Sequence, residues 1–135
     1  MKRTFHFSWL IIFSVILFSC SKEQPIGKWD DNIKLSVKDV DFISGADSVT
    51  ITTEGEWWWI THVRVNNEIF YVPDSINTES DHYSISQDCY VVERRNKHTL
   101  FIKADTNTTG SQRIIKVELE AGDYFDRIYV TQAAE

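Results

Sequence analysis

From Ile33 onward, apolar side chains recur at every second position, and no stretch sustains a 3.6-residue period. A period of two puts successive side chains on opposite faces, so such a chain must build sheets with one face buried. Ile115, Val117 and Leu119 alternate with Lys116, Glu118 and Glu120. After Ala121-Gly122-Asp123, Ile128 and Val130 alternate with Arg127, Tyr129 and Thr131. That pair is predicted to be a hairpin with one wet face. Leu100, Ile102 and Ala104 form another inward set, as do Val49, Ile51 and Thr53. Ile33, Leu35 and Val37 share a face that Val40 and Phe42 continue out of phase, which predicts a bulge or kink near Lys38-Asp39. Trp57–Val65, Glu68–Val72 and Tyr83–Glu93 supply further β-branched and aromatic runs. Seven to nine short strands in about 100 residues predict an all-β, immunoglobulin-like β-sandwich, without the Cys…Trp…Cys framework of antibody domains.

Composition narrows the functional classes. The 135 residues suit one domain, and a formal charge of −6 argues against phosphate-backbone binding, so no nucleic-acid partner is expected. Two cysteines make neither a disulfide-dense miniprotein nor a four-thiolate zinc site. His62, His82 and His98 lack metal-ligand spacing, so no metal or other cofactor is expected. Acidic pairs such as Asp39/Asp41, Glu54/Glu56 and Glu118/Glu120 are two apart and share a solvated strand face. There is no Gly-rich phosphate loop, G-x-S-x-G elbow or Cys–His pattern, so the chain is not expected to be an enzyme.

The first 32 residues are predicted to lie outside the domain. Lys2 and Arg3 precede an apolar run, Trp9–Phe18, broken only by Ser14. Ten such residues rise about 15 Å as a helix, half a bilayer core, which fits a signal-peptide core rather than a membrane span. The sequence Leu17-Phe18-Ser19-Cys20 resembles a bacterial lipobox. That resemblance implies thioether acylation of Cys20, cleavage before it, and further N-acylation with palmitate-type chains, enough for stable anchoring. Residues 1–19 hold Lys2 and Arg3 and no acid, so their removal leaves 116 residues, with 12 basic against 20 acidic and a formal charge of −8. Cys89 then has no intramolecular partner. Residues 20–32 read as a lipidated tether, and 33–135 as the domain. Lys22-Glu23 beside Cys20 resembles the short charged signals that send some Bacteroidetes lipoproteins to the cell surface, which implies an outer-membrane location.

The order "ITTEGEWWWI", "LFIKADTNTTGSQRIIKVEL" and "DRIYVTQAA" resembles the BACON domain, the Bacteroidetes-associated carbohydrate-binding, often N-terminal module. The matching positions are Trp58 and Ile60, Asn107, Arg113, and Val130 with Gln132. The resemblance runs from Ile33 to Ala133 and breaks between Val65 and Lys97, where the chain is longer than the pattern. It implies a β-sandwich and a glycan or glycoconjugate ligand, such as a polysaccharide or mucin.

Chemistry concentrates at Trp57-Trp58-Trp59. On a strand, Trp57 and Trp59 point one way while Trp58 and Ile60 point the other. The family match turns Trp58 and Ile60 inward, whereas downstream Thr61, Val63 and Val65 are the more apolar set, a conflict that a bulge would resolve. Exposed indoles stack on C–H-rich sugar faces, making Trp57 and Trp59 the ligand-binding candidates, with Tyr90 extending the platform. The alternative has the run packing into the core under the 66–97 insertion, leaving a structural or protein-interaction module that pairs with an envelope partner. Asp47-Ser48-Val49 and Asp74-Ser75-Ile76 resemble a short O-glycosylation motif of Bacteroidetes exported proteins, which makes Ser48 and Ser75 acceptor candidates.

Overall fold

The computed structural model describes residues 30–135. The Cys20 lipobox and most of the tether lie outside them. Nine strands and no helix form within this span: β1 (Asp39–Phe42), β2 (Asp47–Thr52), β3 (Trp59–Val65), β4 (Glu68–Tyr71), β5 (Tyr83–Gln87), β6 (Tyr90–Asn96), β7 (Thr99–Ala104), β8 (Arg113–Ala121) and β9 (Tyr124–Gln132). They form two sheets, ordered β1-β9-β8-β3-β4 and β2-β7-β6-β5, which enclose one core in a sandwich-like, all-β arrangement.

The expected hairpin is β8–β9, paired from Arg113↔Gln132 to Ala121↔Tyr124. Its tight turn places Gly122 at a φ of 64°, a conformation that glycine adopts without steric cost. Of the expected inward sets, Ile51, Leu100, Ile102, Ile115, Val117, Leu119, Ile128 and Val130 are fully buried, while Val49 is half-buried against them. Each such side chain contributes about 1.5–3 kcal/mol of burial, which pins the register because a one-residue slip would expose them all.

Of the two expectations near Lys38-Asp39, the structure shows a bend and not a bulge. Leu35 bridges to Thr53, and Ser36 and Thr52 exchange hydrogen bonds of 2.9 and 3.0 Å, holding this segment to the end of β2. Beyond it, the Tyr129 N–H donates to the Lys38 carbonyl at 2.7 Å, and β1 runs parallel to β9. The chain therefore changes sheets here instead of bulging within one strand. The 66–97 stretch contributes an edge strand to each sheet, β4 and β5, joined by an exposed loop over residues 72–82.

The polar residues matched to the family pattern stitch the end of the sandwich remote from the tryptophan run. Arg113 donates to the Gln132 side-chain carbonyl at 2.8 Å and to the Asp105 carbonyl at 2.9 Å. Gln132 donates to the carbonyls of Gly45 and Asp105, and Asn107 donates to those of Ser111 and Ala133. Three buried side chains thus satisfy loop carbonyls that strand pairing leaves free, the condition for closing a sandwich end without water.

Candidate functional site

The site begins with a turn that only glycine permits. Gly55 donates to the Ile33 carbonyl at 3.1 Å, and a Cβ there would run into the Asn32 carbonyl. This close approach clasps residues 32–34 to the turn that launches the tryptophans. Asp31 secures the clasp by accepting from the N–H groups of Ile33 and Lys34 at 3.0 and 2.7 Å. Burial works to raise the Asp31 pKa. The Lys34 and Ile33 N–H groups and the Lys38 charge outweigh it, so the carboxyl sits below its usual range.

The three tryptophans meet three different environments. Trp58 is 1% exposed, with its indole N–H donating to the Lys97 carbonyl at 2.9 Å and to the Thr53 hydroxyl at 3.1 Å. Trp57 precedes β3 and is 85% exposed. Trp59 opens β3 half-buried, beside the 72–78 segment. The parity conflict is resolved by a register shift against β8 between Ile60 and His62. The bulge lets Trp58, Ile60 and Val63 all face the core. Burying Val63 stabilises by about 1.5–3 kcal/mol, more than one ladder hydrogen bond of about 0.5–1.5 kcal/mol. The Ile60 N–H, beyond the end of β4, donates to the Tyr83 hydroxyl of the other sheet at 2.9 Å.

These elements frame an open groove of about 740 Å³. Trp57 and Trp59 line one side and residues 78–81 the other, with buried Trp58 and Arg94 at its base. Arg94 is 4% exposed, and its guanidinium carbon stands 4.4 Å from the Trp58 ring centroid. It donates to the Glu56 carbonyl at 2.6 Å and to the Ser80 carbonyl at 3.2 Å, tying both walls together. Desolvation lowers the Arg94 pKa, opposed by the nearby Tyr83 and Asp81. The opposite wall is held by its own hydrogen bonds: Asn77 accepts from the Glu79 and Ser80 N–H groups, and Ser80 and His82 bond reciprocally. A smaller groove of about 430 Å³ lies between Trp59–Thr61 and the Val72–Thr78 segment, so Trp59 borders both.

Charge at the rim is uneven. Glu56 pairs with Lys97 at 3.4 Å and faces the His98 ring at 3.5 Å. Glu79 and Asp81 are exposed and form no ion pair among the described residues.

Tyr90 does not belong to this surface. It is 1% exposed, packs edge-on against Phe70 at 6.1 Å, and pairs with Ala104 near the opposite end of the sandwich. Its side chain falls on the core face of β6 and cannot extend an exposed platform. Burial pushes its phenol up to about 12. Ser48 is exposed on β2, and Ser75 is exposed in the 72–82 loop. Cys20 lies outside the described residues. Among residues 30–135, no group of His, Cys, Asp or Glu that could hold a metal ion is found. Arg94 and the 78–81 wall were not evident from sequence, although one signal existed: period two from Tyr90 through Val92 carries Arg94 to the core face.

No protein-family model matches the sequence, and no curated protein does. Among solved structures, the fold is similar to that of a protein from Bacteroides thetaiotaomicron determined by NMR, with a TM-score of 0.60. That match is at 20% identity and covers 78% of this chain and 90% of the other. At that identity the likeness speaks to the fold alone.

Proposed function

We propose that this chain is a lipid-anchored envelope protein whose immunoglobulin-like, BACON-type sandwich binds glycans without catalysis, using the groove beside Trp57. The observation that carries this reading is the 85% exposure of Trp57 on a concave surface. An indole left in water forgoes a large burial gain, and an aromatic ring next to carboxylates and hydroxyls is the equipment for stacking on a sugar while bonding its hydroxyls. Two sheets with a parallel pairing of the first and last strands support the immunoglobulin-like type. The lipobox at Cys20 and the order of short motifs support the anchor and family.

Isothermal titration of residues 20–135 against galactomannan, xyloglucan and mucin tests the reading. Binding to at least one is expected, with Trp57→Ala weakening it about tenfold, since aromatic stacking of roughly 1.4 kcal/mol corresponds to that factor. Failure to bind any of them, or equal binding by Trp57→Ala, refutes it.

A second reading, a protein-interaction module, has its own support. The outer face of the five-stranded sheet exposes Ile69, Tyr71, Ile114 and Phe125. Crosslinking in native membranes would then return one reproducible partner, lost on Tyr71→Ser with Phe125→Ser.

A further inference from the structure

We infer that the groove selects neutral glycans over anionic ones, an inference that rests on the glycan reading and specifies its ligand class. The two cations at the groove are already committed. Lys97 is paired with Glu56 at 3.4 Å. Arg94 lies buried at the base, held over Trp58, with both terminal nitrogens donating to the main-chain carbonyls of Glu56 and Ser80. Arg94 keeps one unpartnered donor, its Nε–H, but that atom is buried away from solvent. A ligand carboxylate or sulfate would therefore meet cations that are either buried or already sharing their charge with Glu56.

The carboxylates are placed the other way. Glu79 and Asp81 stand exposed on the wall facing the tryptophans, with no ion pair among the described residues. An ionised carboxylate is acceptor-only, so its natural partner is a donor such as a sugar hydroxyl. Their wall is held in place by the Asn77 bonds to Glu79 and Ser80 and by Arg94 on the Ser80 carbonyl. The backbone that carries the acceptors is therefore set before a ligand arrives. A neutral pyranose can lie on Trp57 and donate hydroxyls across the groove to these carboxylates. A uronic or sialic acid in the same place brings like charges together. At about 4–6 Å this costs roughly tenfold or more in affinity at a protein surface.

The experiment compares galactomannan and xyloglucan with polygalacturonate and sialylated mucin, titrated against residues 20–135 in 20 mM salt. The neutral polymers are expected to bind at least about tenfold more tightly. The gap should narrow in 1 M salt, where the Debye length falls to about 3 Å. In Glu79→Gln/Asp81→Asn, which keeps side-chain shape, the gap should close and neutral binding should weaken. Anionic polymers binding as well as or better than neutral ones overturn the selectivity and leave the groove as a glycan site. A gap unchanged in the double variant also overturns it, since the carboxylates would not be its source. If neither class binds, the glycan reading itself falls.

Discussion

Adjacent tryptophans with opposite fates give a sharp test of the site. Trp58→Ala removes a ring that is 1% exposed, and large-to-small aromatic changes in a core cost about 3–5 kcal/mol. It also leaves the Lys97 carbonyl and the Thr53 hydroxyl without their donor, each worth about 0.5–1.5 kcal/mol. Arg94 loses the ring 4.4 Å beneath its charge, a desolvated cation–π contact of about 2 kcal/mol. These contributions share partners and do not add fully. Even the first alone consumes much of a small domain's stability of about 5–15 kcal/mol. Trp58→Phe keeps most of the ring and should cost about 1–3 kcal/mol, so it remains measurable if the alanine variant fails to fold. Trp57→Ala, at an 85% exposed position, should stay within about 0.5 kcal/mol of the parent. Urea denaturation followed by far-ultraviolet circular dichroism reads all three, with the slope checked for constancy. A Trp57→Ala variant destabilised as much as Trp58→Phe would refute the reasoning, because Trp57 would then be a packing residue.

Two other substitutions probe the fold, one at the turn that launches the site and one near the opposite end of the sandwich. Gly55→Ala would drive a Cβ into the Asn32 carbonyl and break the Gly55–Ile33 hydrogen bond. A loss of about 1–3 kcal/mol is expected, with amide exchange accelerating at residues 33–36 before the rest of the domain; uniform exchange would contradict the clasp. Tyr90→Phe removes a buried hydroxyl that has no hydrogen-bond partner among the described residues, so it should be neutral or stabilising by up to about 1–3 kcal/mol at pH 7. Desolvation raises the Tyr90 pKa from 10.0 to about 12, so the folded state holds the proton more tightly. That stabilisation is complete below pH 10 and lost as pH climbs toward 12, and the phenylalanine variant should lack this alkaline loss. A melting temperature lowered at pH 7 would mean the hydroxyl is satisfied after all.

What the sequence disclosed follows from how locally each feature is encoded. Alternation at 115–119 and 128–130 located the long hairpin because both faces have distinct solvents. At Trp57–Val65 the same rule gave two answers. A bulge shifts parity by one, and nothing local marks Thr61 as the extra residue. Tyr90 was misplaced because an aromatic side chain at strand period fits a platform or a core equally well; only the packed neighbours Phe70 and Ala104 decide. The groove was hidden for a related reason. Its two walls, the turn at 56–59 that leads into β3 and the 78–81 stretch of the β4–β5 loop, lie far apart in sequence and meet through Arg94 on β6.

The Gly55–Ile33 clasp has a geographical consequence. It brings the start of the described chain to the same end of the sandwich as Trp57, while Gln132 closes the far end. With a lipid on Cys20, the ten residues to Asp30 could span at most about 35 Å. The groove would then sit at the tethered end of the domain, within that reach of the bilayer. The ligands in easiest reach would be glycans presented at the membrane surface, or polymers flexible enough to approach it. Encounters would become a search in two dimensions, governed by tether length and local density instead of bulk concentration.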